Sequence, residues 1–320
     1  MKQLKPTKTS FKIALTGIAS LMAVTGFALK PAIAELAEVD LDTNASDVTN
    51  NSEYTGYPKT TGGFPRWYIE KNPSRSGGPL KLELCVDSTN DPLCLAAPVS
   101  GDISFPDNFP DEAFWWTTEA VTTTTPGGAK ALLMLATEAA FGNGDPVDGD
   151  QIVFNRTRIR ILGGLQTNRW YRITYPYGTK DLQATAKGNK PATINFTEDF
   201  GCAPSLVSIC DFKSVLVAKG RGGVTNPIGK PWLTWDTFNT NLDSLDPVVS
   251  GKYVGDPNVN HRIIGSPIAN STHSSGYQNF FKVELITGKG GTVVPGVRPI
   301  AYTDLFSVSG KVYQPPTTTP

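Results

Sequence analysis

The segment Leu80-Lys81-Leu82-Glu83-Leu84-Cys85 alternates apolar with charged or sulfur-bearing side chains. A period of two fits a strand with one face buried and the other in water, and it fits no helix, where apolar residues recur every three to four positions. On the same grounds strands are expected over residues 113–117, 151–162, 170–175, 193–197, 212–217, 280–286 and 305–312. Turns are plentiful, because 31 glycines and 25 prolines stand against only 18% charged residues. Residues 129–141 are the one ambiguous stretch, since Ala, Leu, Met and Glu are good helix formers. A buried strand is expected there because its neighbours are β, with a helix as the alternative. The fold class that follows is all-β: a β-sandwich, immunoglobulin/fibronectin-like or jelly-roll-like, with long loops.

The two ends of the chain have other chemistry. Lys2, Lys5, Lys8 and Lys12 precede an apolar run over 13–29, and Ala32-Ile33-Ala34 places small residues two apart. These are the parts of a secretory signal peptide, assigned to residues 1–34. An uncleaved anchor is the rival, but Thr16, Gly17, Thr25 and Gly26 dilute a run already marginal for crossing a bilayer. A secreted, periplasmic or cell-surface protein is expected, with no stable membrane insertion after cleavage. Residues 35–62 are polar and poor in large apolar side chains, so they are expected to form a flexible leader. The β region spans 63–313, as one large domain with insertions or as two packed units split near 200–212. Residues 314–320 form a Pro/Thr-rich tail.

The four cysteines fall into two close pairs, Cys85 with Cys94 and Cys202 with Cys210, each separated by a turn-like stretch. Two local disulfides are the natural assignment, because a hairpin or compact loop brings such sulfurs within reach. A four-cysteine zinc site would need gaps of two to four residues inside each pair, and these are wider. Lys+Arg 29 balance Asp+Glu 29, so no global field collects nucleic acid or an anionic membrane.

No nucleophile elbow, His-Glu-x-x-His pair, phosphate loop or dinucleotide fingerprint occurs. The only histidines, His261 and His273, lie in polar runs and are expected in loops. Asp107 and Asp111, with Glu112 beside them, are candidates for the carboxylate pair of a glycosidase. Asp145, Asp148 and Asp150 crowd a short glycine-bent loop and are candidate Ca²⁺ ligands, with a capped turn as the plainer alternative. Arg156, Arg158 and Arg160 occupy alternate positions of one strand and so share a face. Guanidinium groups in such a row can grip carboxylates or sulfates of a polysaccharide, or pair with acids on a neighbouring strand. Of the six tryptophans, the adjacent Trp115 and Trp116 are expected on opposite faces of a strand, one of them exposed as a sugar platform.

Gly163-Gly164-Leu165 followed by Trp170-Tyr171-Arg172-Ile173-Thr174-Tyr175 resembles the loop-then-strand passage of fibronectin type III or immunoglobulin-like sandwiches, with Tyr171 at the corner tyrosine. With Gly63-Phe64-Pro65-Arg66-Trp67-Tyr68, Phe105-Pro106-Asp107-Asn108-Phe109-Pro110, Tyr253-Val254-Gly255-Asp256-Pro257 and Asp304-Leu305-Phe306-Ser307-Val308, the chain resembles a group of uncharacterised bacterial exported proteins. That resemblance implies export and β architecture, and carries over no catalytic or binding residue. The function expected is a non-enzymatic surface or extracellular protein, a binding module for carbohydrate, matrix or another surface protein. The alternatives are a secreted polysaccharide-active enzyme and a structural envelope protein.

Overall fold

Period-two patterning yields sixteen strands among the described residues of a computed structural model, which are 35–315 apart from 45, 48, 72–78, 218–231, 236–247 and 250. Three short strands come first, β1 (Leu36–Val39), β2 (Trp67–Glu70) and β3 (Lys81–Glu83), followed by three long ones, β4 (Glu112–Thr123), β5 (Lys130–Phe141) and β6 (Gln151–Leu165). Then come β7 (Trp170–Tyr175), β8 (Gly178–Gln183) and β9 (Ala192–Cys202). Four short strands follow, β10 (Thr234–Trp235), β11 (Val248–Val249), β12 (Tyr253–Val254) and β13 (His261–Ile264), and the series ends with β14 (Phe281–Ile286), β15 (Ala301–Thr303) and β16 (Leu305–Val312).

The larger sheet has twelve strands with the main order β1-β2-β3-β16-β4-β5-β6-β9, and the smaller has the order β15-β14-β7-β8. Both are antiparallel. Leu133 and Leu135 of β5, Ile159 and Ile161 of β6, Ile173 and Tyr175 of β7, and Phe281 and Val283 of β14 all belong to one continuous core. Two antiparallel sheets sharing a core make the chain an all-β sandwich. Residues 130–141 are a strand, paired along their whole length with β4 and β6. Helix propensity there yields to two flanking ladders. The Tyr171 hydroxyl accepts the backbone N–H of Gln166 at 2.8 Å, the local bond that a corner tyrosine makes.

Two expectations are corrected. Residues 35–62 are not a flexible leader: β1 pairs with β2, and Leu36, Val39 and Tyr57 are buried. Few apolar anchors suffice because polar side chains satisfy the backbone. Asn51 Nδ2 donates to the carbonyls of Asn44 (2.9 Å) and Gly56 (2.8 Å), and Thr55 Oγ1 donates to Gly63 O at 2.6 Å. Residues 212–217 do not form a strand either. Asp211 accepts the Lys213 N–H and starts a short 3₁₀ turn, Phe212–Leu216, that buries Phe212 and Val215. The proposed signal peptide, 1–34, and residues 316–320 of the tail lie outside the described residues. Among the described residues no helix is long and apolar enough to cross a membrane.

Gly201 of β9 stands opposite Phe154 of β6, where a Cβ would lie 1.8 Å from Val153 O and 2.5 Å from Phe154 Cα. Both obstacles are backbone, so β9 would have to leave the ladder to admit a methyl group. Gly201→Ala is expected to destabilise the fold by about 1–3 kcal/mol, the usual cost of overpacking, read as a lower urea midpoint at unchanged slope.

Candidate functional site

Directly opposed residues of an antiparallel ladder share a face. Across β4, β5, β6 and β9 the register therefore builds side-chain rows on the face turned away from the core. Thr117, Ala136, Arg156 and Asp199 make one row; Glu119, Met134, Arg158 and Thr197 the next; Val121, Leu132, Arg160 and Asn195 a third. On the other side of the Arg156 row stand Phe114, Glu138, Phe154 and the side-chain-free Gly201. The three arginines share this face, about 6.6 Å from one to the next along β6.

Their environments differ. Arg156 is held in a fork by Asp199, Nε to Oδ1 and Nη2 to Oδ2 both at 2.9 Å. Its Nη1 reaches Glu138 Oε1 at 2.9 Å and Glu112 Oε1 at 3.6 Å, and its guanidinium lies 4.8 Å from the centre of the Phe154 ring. The Asp199 fork pushes the Arg156 pKa further up. Glu138 has no exposed surface, and burial pushes its carboxyl up to about 8, with Arg156 pulling down and Glu112 and Asp199 pushing up. A proton on Glu138 Oε2, which meets no donor, gives that oxygen a partner in the Glu112 carboxylate. This end of the face is internally neutralised. Arg158 and Arg160 have no acidic partner among the described residues; Arg158 Nε is buried without a hydrogen bond and Arg160 is exposed. Their ladder neighbours Thr197 and Asn195 carry hydrogen-bonding groups and no charge.

The tryptophan platform is not formed by the adjacent pair. Trp115 and Trp116 are both completely buried, because a β-bulge between Phe114 and Trp116 inserts Trp115 as an extra residue and resets the alternation. Trp115 packs edge-on against Phe64 and Tyr68 and donates Nε1 to Pro65 O, while Trp116 packs against Trp232 and donates to Leu233 O, both bonds 3.1 Å. Trp67 keeps partial exposure, and Lys81 Nζ covers its ring at 4.2 Å.

The remaining sequence candidates are placed as follows. Asp148 is met by three donors, Ser52 Oγ at 2.5 Å, Gln151 Nε2 at 3.0 Å and Glu53 N at 3.1 Å, and so ties the β5–β6 loop to residues 52–53. Asp150 accepts from Asn143, and among the described residues no three His, Cys, Asp or Glu side chains, Asp145 included, converge as metal ligands. Asp107 and Asp111 are exposed. His261 opens β13 and is buried rather than loop-borne, while His273 shares its Nδ1 with Ser275 Oγ at 2.7 Å. All four cysteines pair locally, Cys85 with Cys94 and Cys202 with Cys210, each with Cα atoms 5.3 Å apart. Two disulfides fit a non-cytoplasmic protein.

No protein-family model, no curated protein and no solved structure matches this chain. Glu138, Glu112 and Asp199 are the residues of this face that the sequence did not single out as a unit. They meet only through the register of four strands, and the acid at the centre of a row otherwise reads as an ordinary strand glutamate.

Proposed function

We propose that the chain is an exported, non-enzymatic binding module for an acidic polysaccharide, whose carboxylates or sulfates engage Arg158 and Arg160. The observation that carries this reading is two neighbouring arginines on one sheet face with no acidic partner among the described residues, beside a third that three acids hold in place. A row with the spacing of a strand matches repeating anionic groups on an extended polymer, and guanidinium is suited to planar two-point contacts with them. Without residues 1–34, the proposed signal peptide with its five lysines, the chain carries 24 Lys and Arg against 29 Asp and Glu, so recognition of an acidic polymer is local to these arginines rather than a property of the whole surface. Burial also counts against Glu138 as a general acid, because a sugar cannot reach a carboxyl with no exposed surface.

Calorimetric titration with polygalacturonate and with heparin, against neutral dextran, tests the proposal. Binding is expected for the acidic polymers alone and is expected to weaken as salt is added. Removing Arg158 and Arg160 together, each to Ala, should lower affinity by about a hundredfold or more, from about 1.5–3 kcal/mol per charge-assisted contact. Equal affinity for dextran, or an unaltered double variant, would refute it; release of new reducing ends would favour a polysaccharide-active enzyme instead.

A further inference from the structure

β5 is apolar on both of its faces over Ala131-Leu132-Leu133-Met134-Leu135. A strand of that kind is ordinarily covered on both sides. The core covers Ala131, Leu133 and Leu135, which are buried, whereas Leu132 and Met134, on the arginine face, keep part of their surface in water. The exposed apolar surface continues around them. Val121, opposite Leu132 on β4, is 45% exposed, and Leu162, which follows Arg160 on the same face of β6, is 55% exposed.

These apolar side chains are ordered with respect to charge. Across the ladder β5 contributes Leu132 and Met134, β6 sets Arg160 and Arg158 beside them, and β9 adds Asn195 and Thr197 beyond the arginines. Neighbouring strands lie about 4.8 Å apart, so the face passes from apolar to cationic to hydrogen-bonding over about 10 Å. A bare polyanion meets the arginines and leaves the apolar column in water. A lipid surface meets the apolar and cationic columns and leaves the amide of Asn195 and the hydroxyl of Thr197 without the sugar hydroxyls they suit. An acidic sugar with an acyl ester on one hydroxyl meets all three columns: its carboxylate faces the guanidinium groups, its free hydroxyls face Asn195 and Thr197, and its acyl methyl group covers Leu132 and Met134. An ester on the carboxyl itself would instead remove the charge that the arginines require.

Building on acidic-polysaccharide recognition by Arg158 and Arg160, we infer that the polymer bound on this face is O-acylated, with its acyl groups seated on the Leu132–Met134 column beside the two arginines. Calorimetric titration with polygalacturonate, with the same polymer O-acetylated at its hydroxyls, and with the same polymer methyl-esterified at its carboxyls tests it. The O-acetylated polymer is expected to bind about tenfold more tightly than the parent, the gain from covering about two methyl-sized groups, and the methyl-esterified polymer more weakly than the parent. Leu132→Thr combined with Leu162→Thr keeps residues suited to a strand and removes the apolar cover, so the ratio of acetylated to parent affinity should fall close to one. Val121→Thr combined with Leu162→Thr, both at exposed positions, should lower the ratio in the same direction, and circular dichroism verifies that the variants stay folded. Parent polymer that binds while the acetylated form binds no better, or variants with the wild-type ratio, would overturn the acylated ligand and leave acidic-polysaccharide recognition standing. Failure of all three polymers to bind would overturn both. Sedimentation with phosphatidylglycerol vesicles of a protein that binds none of the polymers would assign the face to a lipid surface instead.

Discussion

Opening both disulfides is expected to lower the stability of the folded chain by about 5 kcal/mol, roughly 2–3 kcal/mol for each loop in the chain-entropy model. The loops closed are short, with sequence separations of 9 and 8, so neither bridge acts as a long-range tether. Each instead fixes a loop that anchors larger elements. Cys85 donates its backbone N–H to Phe114 O at 2.9 Å, beside the bulge that seats Trp115 and Trp116. Within the same loop Asp91 accepts from Lys311 Nζ at 2.8 Å and from the Tyr253 hydroxyl at 2.7 Å, which ties it to β16 and β12. Cys202 ends β9, and Cys210 leads into the 3₁₀ turn whose Phe212 and Val215 fill the core. A domain with an ordinary stability of about 5–15 kcal/mol loses a third or more of it by this change. Urea unfolding with and without reductant, and on the variants Cys85→Ser/Cys94→Ser and Cys202→Ser/Cys210→Ser, measures each share. Midpoints that do not move on reduction would show that the loops are already ordered in the unfolded chain.

What the sequence discloses about this fold is its periodicity, and what it conceals is register. Leu82 and Leu84 are buried and Lys81 and Glu83 are not, as the alternation from Leu80 to Cys85 requires. Arg156, Arg158 and Arg160 share a face for the same reason. The fate of each arginine, however, depends on which residue of β5 and β9 stands beside it, and that is set by strand pairings between distant parts of the chain. Arg156 meets Asp199, 43 residues away, while Arg158 meets Thr197 and remains unpaired. A single inserted residue was enough to bury Trp115 with Trp116, because alternation is a property of the ladder and the bulge interrupts it. The segment 35–62 misleads for a different reason. Its order comes from side-chain bonds to backbone, such as those of Asn51 and Thr55, and composition does not register them. The Arg66 fork that meets Asp40 and Asp42 likewise joins residues whose pairing depends on β1 lying beside β2.

Stability is expected to fall as pH rises between about 4.5 and 8, and Glu138 is the cause. An ordinary glutamate releases its proton near 4.5, whereas burial holds that of folded Glu138 up to about 8. Between those values the folded state binds a proton that the unfolded state has released, so unfolding becomes easier with each step of pH. The contribution is fully present below about 4.5, is lost as pH rises through about 8, and changes no further above that. Integrated over the window it is on the order of 3 kcal/mol once the relaxation of a partly hydrated site is allowed for. Burial also raises the Glu83 pKa from its usual 4.5, which acts in the same sense, while other groups titrate nearby with the opposite sense. Burial holds the His273 pKa below its usual 6.5, so its contribution is lost as pH falls, and Asp91 and Asp181 are held below 3.8 and matter only in acid. A difference between two proteins at each pH isolates Glu138 from these. Glu138→Gln keeps the shape of the side chain, can still accept from Arg156 through its carbonyl and donate to Glu112 through its amide, and cannot ionise. Wild type and variant are therefore expected to have nearly equal urea midpoints at pH 5, with the variant the more stable at pH 9 by on the order of 3 kcal/mol. If the variant is instead the weaker of the two at pH 9, the ion pair of Glu138 with Arg156 outweighs the cost of burying the charge, and the carboxyl of folded Glu138 is not held above its ordinary range.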